Sequence, residues 1–299
     1  MISSSRADTH KVNSPFNYEA KLLKKIHVSR INDMYKEKCN VDVLEFLDGL
    51  EYLDLYECSK TGYKFWMPVE AAGNEKFYHL LSIAWENYYR ESRWEYGPAL
   101  KHINNSKTIL EIGCGRGYFL QLAELKGAKA SGLEFNSQAI DNKVCNSPVY
   151  NEIIEEHAEK GNRYDVVLSF QVLEHVSKPR EFLTSAISCL KDNGYLILST
   201  PNDDWIYHQR MEDAFNLPPH HIGCFNKKVY ENIAKEIGME IVEIKSQNCL
   251  FHIERYNEAT ERNFFFKLYK KISQIIGNQI LKLTKEPGHT ILCVMKKSQ

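Results

Sequence analysis

The sequence predicts an α/β protein with an added N-terminal segment, and three observations predict it. Thr108-Ile-Leu-Glu-Ile-Gly-Cys-Gly-Arg-Gly-Tyr-Phe-Leu120 is a β-branched and aliphatic run that turns through three glycines into a helical pattern. Further strand-like runs follow at 130–135, 164–170 and 194–202, with helical-length stretches between them. The chain has 299 residues, 43% hydrophobic and 26% charged, enough for one α/β domain and an accessory part.

The glycine loop carries the first functional information. Gly113, Gly115 and Gly117 remove every second Cβ, so the backbone can take positive φ and a ligand can lie directly on it. A dinucleotide fingerprint needs G-x-G-x-x-G, but Tyr118 stands where its third glycine belongs, which disfavours NAD. A phosphate loop ends in Gly-Lys-Ser/Thr, and Gly117-Tyr118-Phe119 supplies none of that chemistry, which disfavours ATP. Glu111, two residues before the first glycine, would repel a pyrophosphate but suits an ammonium group. S-adenosylmethionine (SAM) carries an ammonium and no phosphate.

The strands after the loop follow in order. Ala130–Phe135 reads as a second strand ending in an acid, with Glu134 seventeen residues after Gly117, where a carboxylate can accept both ribose hydroxyls. Tyr164–Phe170 reads as the fourth strand, followed by Gln171-Val-Leu-Glu-His-Val176, and Gly194–Asn202 as the fifth. Asn226–Ile237 is a core helix and Met239–Lys245 a strand, and His289–Lys296 closes the pattern. From about Trp94 to Val294 this chain resembles the Rossmann-like, class I SAM-dependent methyltransferases, whose first motif is E-x-G-x-G-x-G after a hydrophobic strand. The resemblance implies a mostly parallel seven-stranded sheet with an antiparallel last strand, flanked by helices, and SAM as cofactor. It places Glu111, Gly113, Cys114, Gly115, Gly117, Tyr118, Glu134, Phe135, Ser169, Phe170 and Gln171 at the cofactor, with Glu134 as the ribose acid.

Chemistry in open parallel sheets sits at the carboxyl ends of the strands. Glu174, His175, His220 and His221 follow the fourth and fifth strands, and His175, His220 and His221 are the candidate catalytic residues, since an imidazole near neutral pKa is a natural base for a hydroxyl acceptor. A packing reading stands beside it, in which Glu174-His175 is a hydrogen-bonding pair and Pro218-Pro219 a rigid loop. Small-RNA 2′-O-methyltransferases and ubiquinone-pathway O-methyltransferases are similar around E-x-x-E-H, where both acids and the histidine help hold a divalent ion. A later histidine completes the set in the small-RNA enzymes, which His221 matches. Gln171 replaces the first acid, and the loss of a carboxylate weakens a hard-cation site. No metal is therefore expected, with Glu174, His175 and His221 as the alternative.

The first 95 residues are an accessory segment and 96–299 the SAM-binding domain. Residues 17–40 read as a basic helix. Some bacterial methyltransferases of this type open with a zinc ribbon, and Cys39-Asn-Val-Asp42 with Cys58-Ser-Lys-Thr61 resembles its layout, but Asp42 and Thr61 replace two of four sulfurs, so no zinc is expected. Packing of Tyr52, Leu55, Tyr56, Tyr63, Phe65 and Trp66 would keep the ribbon's shape. In a helix, Tyr78, Leu81, Trp85, Tyr88 and Tyr89 form one stripe, which reads as core; the resemblance implies instead that Tyr88, Tyr89 or Trp94 walls an acceptor pocket, as in similar methyltransferases. An insertion at about 250–288 holds an apolar, lysine-flanked stripe at 262–286, which reads as a helix packing on its own domain or on a second copy, or as a membrane-surface helix.

The formal net charge of −1 gives no global field for a nucleic-acid partner, so none is expected. Eight scattered cysteines without a C-x-x-C pair fit reduced thiols, and the N-terminus lacks a signal-peptide core, so the expected compartment is the cytoplasm. The expected function is SAM-dependent methylation of a small-molecule or glycan hydroxyl. RNA ribose 2′-O-methylation and a catalytically idle SAM-binding scaffold are the alternatives.

Overall fold

A computed structural model describes residues 11–85, 88–210, 212–248 and 287–298. The expected stripe at 262–286 and Cys249 lie outside the described residues. The N-terminal elements are β1 (Val12–Asn13), β2 (Glu19–His27), α1 (Val28–Cys39), β3 (Tyr52–Cys58), β4 (Lys64–Met67), α2 (Glu75–Ala84) and α3 (Tyr96–Ala99). The central ones are β5 (Thr108–Ile112), α4 (Tyr118–Leu125), β6 (Lys129–Leu133), α5 (Ser137–Asp141), β7 (Val149–Tyr150), α6 (Ile154–Glu159), β8 (Tyr164–Phe170), α7 (Pro179–Ser188), β9 (Leu190–Pro201) and α8 (Ile206–Arg210). The chain ends with β10 (Gly223–Cys224), α9 (Lys227–Glu236), β11 (Met239–Asn248) and β12 (Pro287–Lys297).

The main sheet has seven strands in the order β11-β12-β9-β8-β5-β6-β7. Parallel ladders join β7, β6, β5, β8 and β9, and β12 runs antiparallel to both β9 and β11. The expected mostly parallel seven-stranded sheet with an antiparallel last strand, β12, is therefore present. Chain order reverses between β5 and β8, whose carboxyl ends open the crevice in which such sheets hold ligands. Burial explains the composition of these strands: β8 is buried at six of seven positions and reads as an apolar run broken only by Asp165 and Ser169.

The second sheet is antiparallel, β1-β2-β3-β4-β10, and it corrects the N-terminal reading. Glu19–His27 is a strand, with helix only from Val28 to Cys39. Eight of the nine β2 residues avoid burial and a register shift falls between Leu22 and Lys24, so the two-residue alternation that marks a strand never forms. β2 exists because it pairs with β3, a non-local contact.

Leu55, Tyr63, Phe65 and Trp66 are buried as expected, but Tyr52 is 47% exposed and rests edge-on against His27. Cys58 is buried against Ser14, whose hydroxyl donates to Sγ at 3.1 Å, and Cys39 packs in a different apolar cluster. The seven described cysteines are all free thiols.

The N-terminal sheet is finished from the other end of the chain. β10 pairs with β4 at Gly223↔Phe65, and the Trp66 N–H donates to the Ile222 carbonyl at 2.9 Å. One apolar cluster joins Phe16, Cys58, Tyr63 and Phe65 to Phe225, Val229, Tyr230 and Ile233 of the sheet domain, so the core runs across position 95. α9 is held by its Asn226 cap, whose Oδ1 accepts the Val229 N–H at 2.9 Å, and it buries Val229, Tyr230, Ile233 and Ala234. The aromatic helix is shorter than the stripe suggests: α2 stops at Ala84, and Trp85 is already extended at φ −125°, ψ 94°. Among the described residues no helix is long and apolar enough to cross a membrane.

Candidate active site

A cavity of about 770 Å³ opens at the carboxyl ends of β5, β6 and β8. Its floor is the glycine loop. Gly113, Gly115 and Gly117 have φ of +71°, +54° and +78°, the left-handed region that side chains disfavour. A Cβ at 113 would lie 2.4 Å from Val172 Cγ2, and one at 115 would lie 2.9 Å from the Tyr89 ring. The Gly113 and Cys114 N–H groups both donate to the Leu133 carbonyl, at 2.8 and 3.0 Å, which ties the loop to the end of β6.

Two carboxylates frame the loop. Glu134 stands just past β6 and accepts the Gly115 N–H at 2.7 Å and the Asn136 N–H at 2.8 Å. Burial raises its pKa, and those two backbone donors pull it back. Glu111 is 3% exposed and its Oε2 has no hydrogen-bond partner. Burial lifts its carboxyl well above the usual range, with the Arg93 charge as the partial offset. A buried carboxylate oxygen left without a donor at the mouth of a bare backbone loop fits a ligand that brings an ammonium group.

The cavity brings together Glu111, Gly113, Cys114, Gly115, Tyr118, Glu134, Phe135, Phe170, Gln171, Glu174, His175, His220 and His221. Gly117 and Ser169, also expected at the cofactor, do not line it. Gly117 backs onto Cys145, 2.4 Å from where its Cβ would be, and the Ser169 hydroxyl donates to the Ile112 carbonyl at 3.0 Å, so both shape the loop from behind. Gln171 adopts φ +57° and its Nε2 donates to Glu95 Oε1 at 3.2 Å and Ser199 Oγ at 3.3 Å. Tyr88, Tyr89 and Trp94 line the cavity from an irregular segment rather than a helix, and Tyr89 Oη accepts from Asn136 Nδ2 at 2.8 Å.

Sequence reasoning missed Arg93, Glu95 and Glu152 on the cavity wall. Burial raises the Glu95 carboxyl, opposed chiefly by the Arg93 charge. The only sequence signal for this pair was its place inside the aromatic run.

Three imidazoles converge on the same cavity. His175 comes from the turn after β8, and His220 and His221 from the loop before β10. The His220 and His221 rings stack at 4.3 Å, and the His175 centroid lies 4.7 Å from one and 4.9 Å from the other. His175 Nδ1 meets the His220 carbonyl at 2.5 Å, and His220 Nδ1 the Phe215 carbonyl at 2.9 Å. A carbonyl only accepts, so each Nδ1 carries the proton and each neutral ring keeps an open Nε2 lone pair. His221 Nδ1 is matched to Asn216 Oδ1 at 3.1 Å in the same manner. Burial holds all three rings neutral, with His175 lowered to about 4. Glu174 is 1% exposed, has no hydrogen-bond partner on either oxygen, and is raised to about 8 by burial.

The sheet order, bare glycine loop and two framing acids define a class I, Rossmann-like SAM-dependent methyltransferase fold. Residues 85–244 match the family described as Methyltransferase domain, and the chain belongs to that family. It is similar to the mitochondrial ubiquinone biosynthesis O-methyltransferase of Schizosaccharomyces pombe, 32% identical over 154 residues, which cover 41% of this chain and 56% of that one. It is also similar to the ubiquinone biosynthesis O-methyltransferase of Nitrosomonas europaea, 30% identical over 167 residues, covering 52% and 66%. The chain spans about half the length of the curated relatives it matches. A SAM-dependent methyltransferase from Archaeoglobus fulgidus shares the fold, with a TM-score of 0.53 and 20% identity over 74% of this chain and all of that one. The cofactor of this fold is SAM, and the unpartnered Glu111 oxygen and the glycine loop fit it.

Proposed function

We propose that this chain transfers a methyl group from SAM to a hydroxyl oxygen of a small-molecule or glycan acceptor. The observation that carries the reading is that one cavity is lined both by the cofactor loop and by three imidazoles that burial keeps neutral. When bound, SAM supplies an electrophilic methyl whose in-line transfer neutralises the sulfonium. The protein's share is alignment and removal of the hydroxyl proton.

Glu134 would take the ribose hydroxyls and Glu111 the ammonium, while Gly113, Cys114, Gly115 and Tyr118 bed the cofactor and Phe135, Phe170 and Gln171 complete its wall. His175, His220 and His221 would receive the acceptor hydroxyl at their open Nε2 atoms. Tyr88, Tyr89 and Trp94 wall the pocket, and exclusion of water there strengthens every polar contact inside. The ubiquinone biosynthesis O-methyltransferase names of the relatives support oxygen as the receiving atom.

The finer assignment is to the bacterial type with a ribbon-like segment at 1–95 and a Pro-Pro-His-His loop, working in the cytoplasm. Pairing of that segment with β10, two residues after His221, supports a role for it in shaping the acceptor end. Incubating wild-type protein and His175→Ala with methyl-labelled SAM and cell extract, then identifying the labelled product, tests the reading. A labelled O-methyl product lost in the variant supports it. Labelled RNA, or no product from a protein that still binds S-adenosylhomocysteine, rejects it.

A further inference from the structure

We infer that the acceptor is an extended, uncharged oligosaccharide whose chain leaves the active-site cavity through a second groove, between the start of α7 and the N-terminal sheet. The inference rests on the proposed O-methyl transfer and names its substrate class. The groove has a volume of about 710 Å³ and is lined from the N-terminal side by the turn after β1 and the end of β4, and from the sheet domain by Arg180, Thr184 and Ser185 of α7.

Two stretches of chain carry the groove into the cavity. Ser177, Lys178 and Glu181 line both, as does Glu155 of α6, and Ser177 follows His175 by two residues on the turn after β8. The stretch after β4 lines the groove at Met67 and Val69 and the cavity at Ala72 and Gly73. The Gly73 N–H donates to the Pro219 carbonyl at 2.7 Å, one residue before His220. An acceptor whose hydroxyl meets the imidazoles therefore has a path out along both stretches.

Size and chemistry name the occupant. A pocket of about 300–1,000 Å³ holds one drug-sized ligand. SAM is itself of that size, so the cavity of about 770 Å³ takes the cofactor and the reacting unit, and the rest of a longer acceptor lies in the groove. Among the described residues Pro15, Met67 and Val69 are the only apolar ones in its lining, so an isoprenoid or other apolar tail finds little surface to bury against. The amides of Asn13 and Asn17 and the hydroxyls of Thr184 and Ser185 both donate and accept, as the hydroxyls of a sugar do. The charges balance: Lys178 and Arg180 stand with Glu155 and Glu181, Lys178 Nζ lies 3.4 Å from Glu181 Oε2, and Arg180 Nη1 donates to the Phe16 carbonyl at 3.3 Å. That balance favours neither an anionic nor a cationic chain.

The test incubates the full chain with methyl-labelled SAM and two fractions of one cell extract, the first of monosaccharides and single-ring compounds, the second of size-separated oligosaccharides. Label should enter an O-methyl sugar of the second fraction, with KM falling about tenfold or more from a single sugar to a chain of several. Thr184→Trp and Ser185→Trp, which fill the groove, should each erase that dependence on length, with the fold checked by circular dichroism and S-adenosylhomocysteine affinity within about threefold of wild type. Label in a single-ring, lipid-extracted or protein product, a KM indifferent to chain length, or folded groove variants that match wild type would each overturn the inference. A single-ring O-methyl product overturns it and leaves the proposed reaction standing, whereas no product from protein that binds S-adenosylhomocysteine overturns both.

Discussion

Gly115→Ala is the sharpest perturbation of the cofactor loop, because two separate costs can be read from the geometry. The backbone sits at φ +54°, and holding an alanine in the left-handed region costs about 1 kcal/mol. The new Cβ would lie 2.9 Å from Tyr89 Cδ1 and 3.2 Å from Cε1, inside ordinary contact distance, and overpacking of this kind costs about 1–2 kcal/mol. Tyr89 cannot swing away freely, since its hydroxyl accepts from Asn136 at 2.8 Å. The loop's escape is to rotate, which surrenders the Gly115 N–H bond to Glu134. The total of about 2–3 kcal/mol corresponds to roughly 30- to 150-fold in affinity if all of it falls on the bound state.

Calorimetry with S-adenosylhomocysteine, alongside thermal melting, measures how the cost divides between binding and stability. A double-mutant cycle with Tyr89→Ala separates the two contributions: removing the ring should return the contact part, about tenfold, and leave the backbone part. A Gly115→Ala protein binding within threefold of wild type at unchanged stability would refute the argument, as would a coupling energy within about 0.5 kcal/mol of zero.

Three further substitutions test the scaffold. Burial pushes Asp165 up, but the Thr108 backbone N–H, Lys191 and the Thr108 hydroxyl outweigh it and hold it at about 2. Its contribution to stability is thus full above about pH 4 and lost as pH falls through about 2; Asp165→Asn should cost about 1 kcal/mol at neutral pH, discounted for solvent screening, and flatten the melting-temperature profile across that window. Gly223→Ala would place a Cβ 2.1 Å from the hydroxyl of buried Tyr63, and a loss of about 2–3 kcal/mol in urea unfolding is expected, with a wild-type midpoint counting against the β4–β10 junction. Asn226→Ala removes the cap of α9, so chemical denaturation should show a loss of about 1 kcal/mol with S-adenosylhomocysteine affinity unchanged.

The parts of this protein legible in its sequence are those whose signal is local. β8 was readable over Tyr164–Phe170 because it is buried at six of seven positions and so apolar apart from Asp165 and Ser169. α9 was readable as a core helix over Asn226–Ile237, and it buries Val229, Tyr230, Ile233 and Ala234. β2 was misread as helix because its exposed residues carry no two-residue period and its existence depends on β3. β10, two residues long, carries no pattern at all and is a strand only because β4 lies beside it.

The same division runs through the site. Glycine spacing, the acid before it and the acid at 134 specify a loop and a ligand class, because backbone freedom and charge belong to the residues themselves. Whether Gly117 and Ser169 face the ligand was undecidable from spacing, since it depends on what packs behind them. Arg93 and Glu95 reach the cavity from a segment whose apparent helix ends at Ala84.

By itself the sequence determined the α/β class, the methyl donor's loop and the histidines as candidates, since these follow from periodicity, conformational freedom and chemistry held in short stretches. Tertiary structure decided that His175 meets His220 and His221 although 45 residues separate the first two, that Gln171 donates to Glu95 and Ser199, and that Glu174 is buried with unpartnered oxygens. Those outcomes arise from the close packing of β8, the loop before β10 and the N-terminal sheet, and no short stretch of the chain encodes them.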